Sequence, residues 1–94
     1  MQIRWTKSAS QNLDHIENYI AEENSAAAID IVFRIFQAVE MLATHPHIGR
    51  PGRIIGIREL VISGTPFIVP YRVKDNFVEI LRVFHTAMQW PDIL

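Results

Sequence analysis

IRELVISGTPFIVPYRVKDNFVEILRVFH, residues 57–85, is the stretch on which the fold turns. It holds three runs rich in β-branched and aromatic residues, 57–63, 67–73 and 77–85, separated by Gly64-Thr65-Pro66 and Lys74-Asp75-Asn76. Connectors that short, made of turn-forming residues, join neighbouring antiparallel strands, so the stretch reads as a three-stranded meander. The last run is the most apolar. Val78, Ile80 and Phe84 fall on one face and Phe77, Leu81 and Val83 on the other, which predicts an internal strand. Pro70 removes one ladder donor, so its strand is expected at an edge or beside a bulge.

Upstream of the meander, Gln2 to Trp5 suits a short strand, and Thr6 can cap the helix that follows through its hydroxyl. From 7 to about 22, Ala9, Leu13, Ile16 and Ile20 recur at helical spacing and form one stripe, with Asp14, Glu17 and Glu22 off it. Asn24 or Ser25 can end that helix and cap a second one over about 25–43, whose first turn carries Ala26, Ala27 and Ala28. Two antiparallel helices result. The second has a core stripe (Ala28, Ile31, Ile35, Val39, Leu42) and, beyond it, Ile29, Val32, Phe33 and Phe36. Either the extra side chains pack on the first helix and the sheet, or they face a partner groove or dimer surface; a small domain has little core to hold them, which favours a partner. THPHIGRPGRIIG at 44–56 breaks the helix and forms an irregular loop. The order is βααβββ, an α+β domain with two N-terminal helices packed on a small antiparallel sheet, spanning 1–94 as one unit.

Composition limits what such a domain can do. The net charge is −1, too little positive charge for binding nucleic acid through bulk electrostatics. The charge is divided along the chain: residues 1–44 sum to −3 and residues 45–94 to +2, so the basic character belongs to the sheet half. There is no cysteine, which excludes disulfides, thiolate nucleophiles and Cys-ligated metals. No apolar run reaches the ~18 to 20 residues of a membrane span, and the N-terminus lacks a signal-like apolar region, so the expectation is a cytoplasmic protein with no membrane role.

Few groups are left for chemistry. The serines lack a G-x-S-x-G context, and no phosphate-cradling glycine motif occurs. His45 and His47 lie two apart, and neither with His15 nor with His85 do they make an H-x-x-x-H or H-E-x-x-H pattern, so neither a metal nor a cofactor is expected. Arginine and histidine displayed on a sheet could cleave RNA without a metal: His85 as acid or base, with Arg58, Arg72 and Arg82 holding phosphate charge. The structural alternative pairs Arg58 with a carboxylate such as Glu79 and leaves Arg72 on the solvent face.

The βααβββ order, together with Gly49-Arg50-Pro51, Arg58-Glu59-Leu60-Val61, Tyr71-Arg72-Val73, the run from Val78 to Val83, and His85 with Met88, resembles the RelE/ParE superfamily of type II toxin-antitoxin modules over nearly the whole chain. The resemblance implies a toxin neutralised by a cognate antitoxin whose otherwise disordered tail wraps it, with Ile29, Val32, Phe33 and Phe36 as the antitoxin surface. RelE-like members cut mRNA on the ribosome; if this chain does so, His85, Arg82 and Arg58 are its catalytic residues. Ile68 and Thr86 stand where that group often has basic residues. ParE-like members poison DNA gyrase and often end the last strand on histidine with methionine three residues later, as His85 and Met88 do. The resemblance is therefore closer to ParE, a protein-protein inhibitor that contacts its target through Arg82, His85, Met88 and Trp90 and catalyses nothing itself. A non-toxic binding module is the third reading, and a homodimer through Phe33 and Phe36 competes with a toxin-antitoxin hetero-oligomer.

Overall fold

Thr6 shows how the sequence builds the framework. In the computed structural model, which describes residues 1–87, β1 (Gln2–Trp5) ends just before this residue and α1 (Lys7–Ala21) begins just after it. The Thr6 hydroxyl accepts from the Ala9 N–H at 3.1 Å, the expected cap, and donates toward the Ile80 carbonyl at 2.8 Å. One side chain thereby starts the helix and fixes it to the sheet. Asn24 repeats the device for α2 (Ser25–Glu40), its Oδ1 accepting from the Ala27 N–H at 3.0 Å. A single 3-10 turn, Met41–Ala43, extends α2 to the expected end.

The sheet is formed by β2 (Arg50–Pro51), β3 (Arg58–Val61), β4 (Phe67–Lys74), β5 (Phe77–Ile80) and β6 (Phe84–His85) together with β1, in the order β1-β5-β4-β3-β2, with β6 also on β4. The predicted meander is β3-β4-β5, and Asp75 at φ 52° makes the turn between β4 and β5. β1 pairs with β5 in parallel, so the sheet is mixed rather than wholly antiparallel. Only a long connection can join parallel neighbours, and here it runs through both helices and then β2, β3 and β4. Among the described residues no helix is long and apolar enough to cross a membrane.

The run expected as one strand over 77–85 breaks in two. Tyr71 is opposite Ile80, yet Ile68 is opposite Phe84, so three residues on one strand face two on the other. That extra residue is a bulge, and it reverses the alternation beyond it. Val83 instead of Phe84 consequently joins Val78 and Ile80 in the core under the helices. Pro70 lies within this irregular stretch; its strand is central, and its carbonyl still accepts from the Leu81 N–H at 3.0 Å. The core is completed by Ala9, Leu13, Ile35, Val39 and Leu42 from the helical side against Leu60, Ile62, Phe67, Val69 and Tyr71 from the sheet. Each large aliphatic side chain buried there contributes about 1.5–3 kcal/mol.

Candidate partner and target surfaces

The stripe on α2 is the first surface. Ile29, Phe33 and Phe36 are 67%, 58% and 41% exposed, whereas Val32 already packs partly against the core. Spacings of four and three place the three exposed residues in one line along the helix. The Phe36 ring also meets Trp5 of β1 at 5.1 Å between centroids, so it is part of the fold as well as part of the surface. Beside the stripe, a groove of about 660 Å3 follows α2 from Phe33 to Met41 and is bounded by Val61, Ile62 and Ser63. Exposed Met41 and Val61 make its rim apolar too.

On the sheet, register decides which charges meet. Arg72 and Glu79 are cross-strand neighbours, and the Arg72 guanidinium donates to the Glu79 carboxylate at 2.6 Å. Arg58 is opposite Tyr71, on the helix-packed side, and donates to the His47 and Gly49 carbonyls at 3.2 and 2.8 Å. The suggested Arg58–Glu79 pair is thus replaced by Arg72–Glu79, because residues 58 and 79 occupy opposite faces. Next to it on the same face, Arg4 stacks over the Phe77 ring at 3.9 Å.

The hydrogen bond from Arg72 holds the Glu79 carboxyl below its ordinary value of 4.5. A carboxyl with a lowered folded-state pKa adds stability above its unfolded pKa, and that stability is lost as pH falls through the lowered value. Glu79→Gln should therefore melt below wild type at pH 7, and the gap should narrow below about pH 4.5, near the unfolded carboxyl pKa. Melting curves at several pH values test it; a gap that stays constant to acid pH would mean the carboxylate is not its source.

The loop at 45–57 is fixed from beneath. The Tyr71 hydroxyl donates to the Pro46 carbonyl at 2.8 Å and accepts from the Gly49 N–H at 2.9 Å. Burial pushes this hydroxyl above its ordinary 10.0, against the smaller opposing effects of the Gly49 hydrogen bond and Arg58. Glu59, 3% exposed, accepts from Arg50 and from the Arg53 N–H, both at 3.1 Å. Gly49 sits so close to Tyr71 that a Cβ there would lie 2.6 Å from the ring.

His85 lies at the far end of β4, opposite Phe67, whose ring it meets edge-on at 5.5 Å. With His15, Ile16, Tyr19, Ile20, Ile31 and Pro66 the two line a cavity of about 390 Å3. Its Nδ1 accepts from the Ala87 N–H at 3.1 Å. Arg82 is in the bulge, half-buried, and its Nε has no hydrogen-bond partner among the described residues. Arg58 and His85 are four residues apart along β4, about 13 Å at strand rise. The structure therefore does not bring Arg58 and His85 together. Met88 and Trp90 lie outside the described residues. Among those described, no His, Cys, Asp or Glu cluster suits a metal. Sequence reading missed the Tyr71 clamp; the one signal for it was a tyrosine in an apolar strand, whose hydroxyl needs a partner when buried.

This arrangement has known relatives. Residues 3–90 match the model of the ParE toxin of the type II toxin-antitoxin system parDE. The chain is 48% identical to Y4kP of Sinorhizobium fredii, covering 99% of this chain and 96% of that protein. It is 35% identical to toxin RelE2 of Caulobacter vibrioides, over 92% and 96% of the two. Among solved structures it resembles the chromosomal ParDE toxin-antitoxin system of P. aeruginosa, with a TM-score of 0.81, 32% identity and 90% and 95% of the two chains covered. The toxin-antitoxin complex RelBE2 of Mycobacterium tuberculosis gives a TM-score of 0.57 at 28% identity, with 89% and 95% covered. The two helices, the mixed sheet and the full-length match place the chain in the ParE toxin family of type II toxin-antitoxin systems, within the RelE/ParE superfamily.

Proposed function

We propose that the chain poisons DNA gyrase by binding it in the cytoplasm, and that a cognate antitoxin neutralises it by covering α2. The observation that carries the choice of target is the scatter of groups an RNA-cleaving site would need: Arg58 is directed at loop carbonyls, Arg72 at Glu79, and His85 lies about 13 Å along β4 from Arg58. General acid-base cleavage needs its acid, base and phosphate clamp within hydrogen-bond reach of one phosphodiester. A docking surface has no such requirement. On this reading Arg82 and His85, with Met88 and Trp90, contact gyrase, while Ile29, Phe33 and Phe36 contact the antitoxin over a floor that includes Val32. The antitoxin segment suited to that line is an amphipathic helix or an extended apolar stretch.

The test is plasmid supercoiling by purified gyrase with refolded toxin in excess, with ribosome-bound mRNA assayed in parallel. The expected result is inhibited supercoiling and intact mRNA, with His85→Ala weakening inhibition by about tenfold, the scale of a contact residue. Normal supercoiling would reject the proposal. The likeness to a relative named RelE2 supports the second reading, a metal-independent endoribonuclease using His85, Arg82 and Arg58. Codon-positioned mRNA cleavage that disappears in His85→Ala would establish it.

A further inference from the structure

Residues 45–57 contain only the two-residue strand β2, yet they are held firmly and present bare apolar side chains. Ile55 is 100% exposed and Ile48 54%. Tyr71 and Arg58 fix the first half of the loop through the carbonyls of Pro46, His47 and Gly49. Glu59 fixes the middle through Arg50 and Arg53, and the Gly52 N–H donates to the Ile57 carbonyl at 2.8 Å. Two glycines are required here. Gly56 has φ +84°, which L side chains rarely adopt, and a Cβ on Gly52 would lie 2.6 Å from the Ile57 oxygen. Long irregular loops built this rigidly are generally functional, and a pre-ordered one binds without first losing conformational entropy.

From this we infer that the lobe formed by residues 45–57 is a target-docking surface, with Ile55 as the anchor that enters an apolar pocket with an acidic rim on a protein partner. Charge selects that partner. Residues 45–58 contain Arg50, Arg53 and Arg58 and no carboxylate, and the adjacent Glu59 is buried beneath them. The helical half, where the antitoxin surface lies, has the opposite sign. Nucleic acid fits less well: the exposed Ile48 and Ile55 offer phosphate nothing, and the chain as a whole carries a net charge of −1. The inference rests on the reading that the toxin acts by binding a protein, and it names a second contact region on the toxin beside the one at His85.

The experiment compares refolded full-length wild type, Ile55→Asp, Ile55→Lys and Ile55→Leu in gyrase supercoiling and in growth arrest on induction, with melting curves as the check on folding. A fully exposed side chain leaves the melting temperature unchanged. The expected result is that Asp and Lys each raise the half-inhibitory concentration at least ~10-fold, while Leu stays within about twofold. Ile55→Asp as potent as wild type would overturn the inference. So would a more potent Ile55→Lys, which would indicate that charge alone acts, as on nucleic acid. If wild type arrests growth without inhibiting gyrase, the gyrase reading fails and the lobe is judged by growth arrest: loss in both Asp and Lys supports it, and retention in either overturns it.

Discussion

Phe33→Glu should melt like wild type yet escape neutralisation, with affinity for the cognate antitoxin reduced by about a hundredfold or more. Phe33 is 58% exposed and is in the middle of the line from Ile29 to Phe36, where truncating a binding anchor usually costs ~2–4 kcal/mol. A carboxylate does more than truncate, since it would have to be desolvated against an apolar partner. Because the free toxin leaves this ring in water, its own stability should change by no more than about 0.5 kcal/mol. Phe36→Glu separates the two roles. That ring contacts Trp5, so the substitution should lower both the melting temperature and antitoxin affinity. The check is calorimetric titration with the antitoxin together with co-expression: toxin that Phe33→Glu leaves fully neutralised would remove α2 as the antitoxin surface.

Whether such a surface could be read from sequence depended on how local the determining physics was. The excess apolar residues of α2 were legible because helical period alone shows that one helix cannot bury Ile29, Phe33 and Phe36 together with the Ile35–Val39 stripe. Thr6 and Asn24 were legible for the same reason, since a cap is settled within three residues. The meander was legible from its connectors. The partner of β1 was not, because nothing in Gln2–Trp5 distinguishes a parallel neighbour 75 positions away, at Phe77, from an antiparallel one. Strict alternation carried past Ile80 put Phe84 on the wrong face, since one bulged residue reverses every position beyond it. The carboxylate partner suggested for Arg58 was wrong for the same kind of reason. What Arg58 meets depends on which face of β3 turns toward the helices, and that follows from register against Tyr71.

Tyr71 joins the core to the loop, and its substitutions should be the most damaging single changes in this fold. Its side chain is fully buried in the middle of β4, and its hydroxyl reaches across to Pro46 and Gly49. Tyr71→Ala removes a large buried ring, which costs about 3–5 kcal/mol in cores of this kind. It also strands one N–H and one carbonyl, at about 1–3 kcal/mol for a buried group left without a partner. Total stabilities of about 5–15 kcal/mol leave little margin, so Tyr71→Ala is expected to be largely unfolded. Tyr71→Phe keeps the ring and deletes only the clamp. Its expected cost is about 1–3 kcal/mol, and the damage should be local: amide exchange should accelerate at 47–50 while the Ile35–Val39 face of α2 stays protected. If the clamp is what orders the lobe, Tyr71→Phe should also lose potency against the target in the same direction as Ile55→Asp, though that variant leaves the melting temperature unchanged. Exchange at 47–50 as slow in Tyr71→Phe as in wild type would show that Arg58 and Glu59 suffice to hold the loop, and the role given to the tyrosine hydroxyl would be wrong.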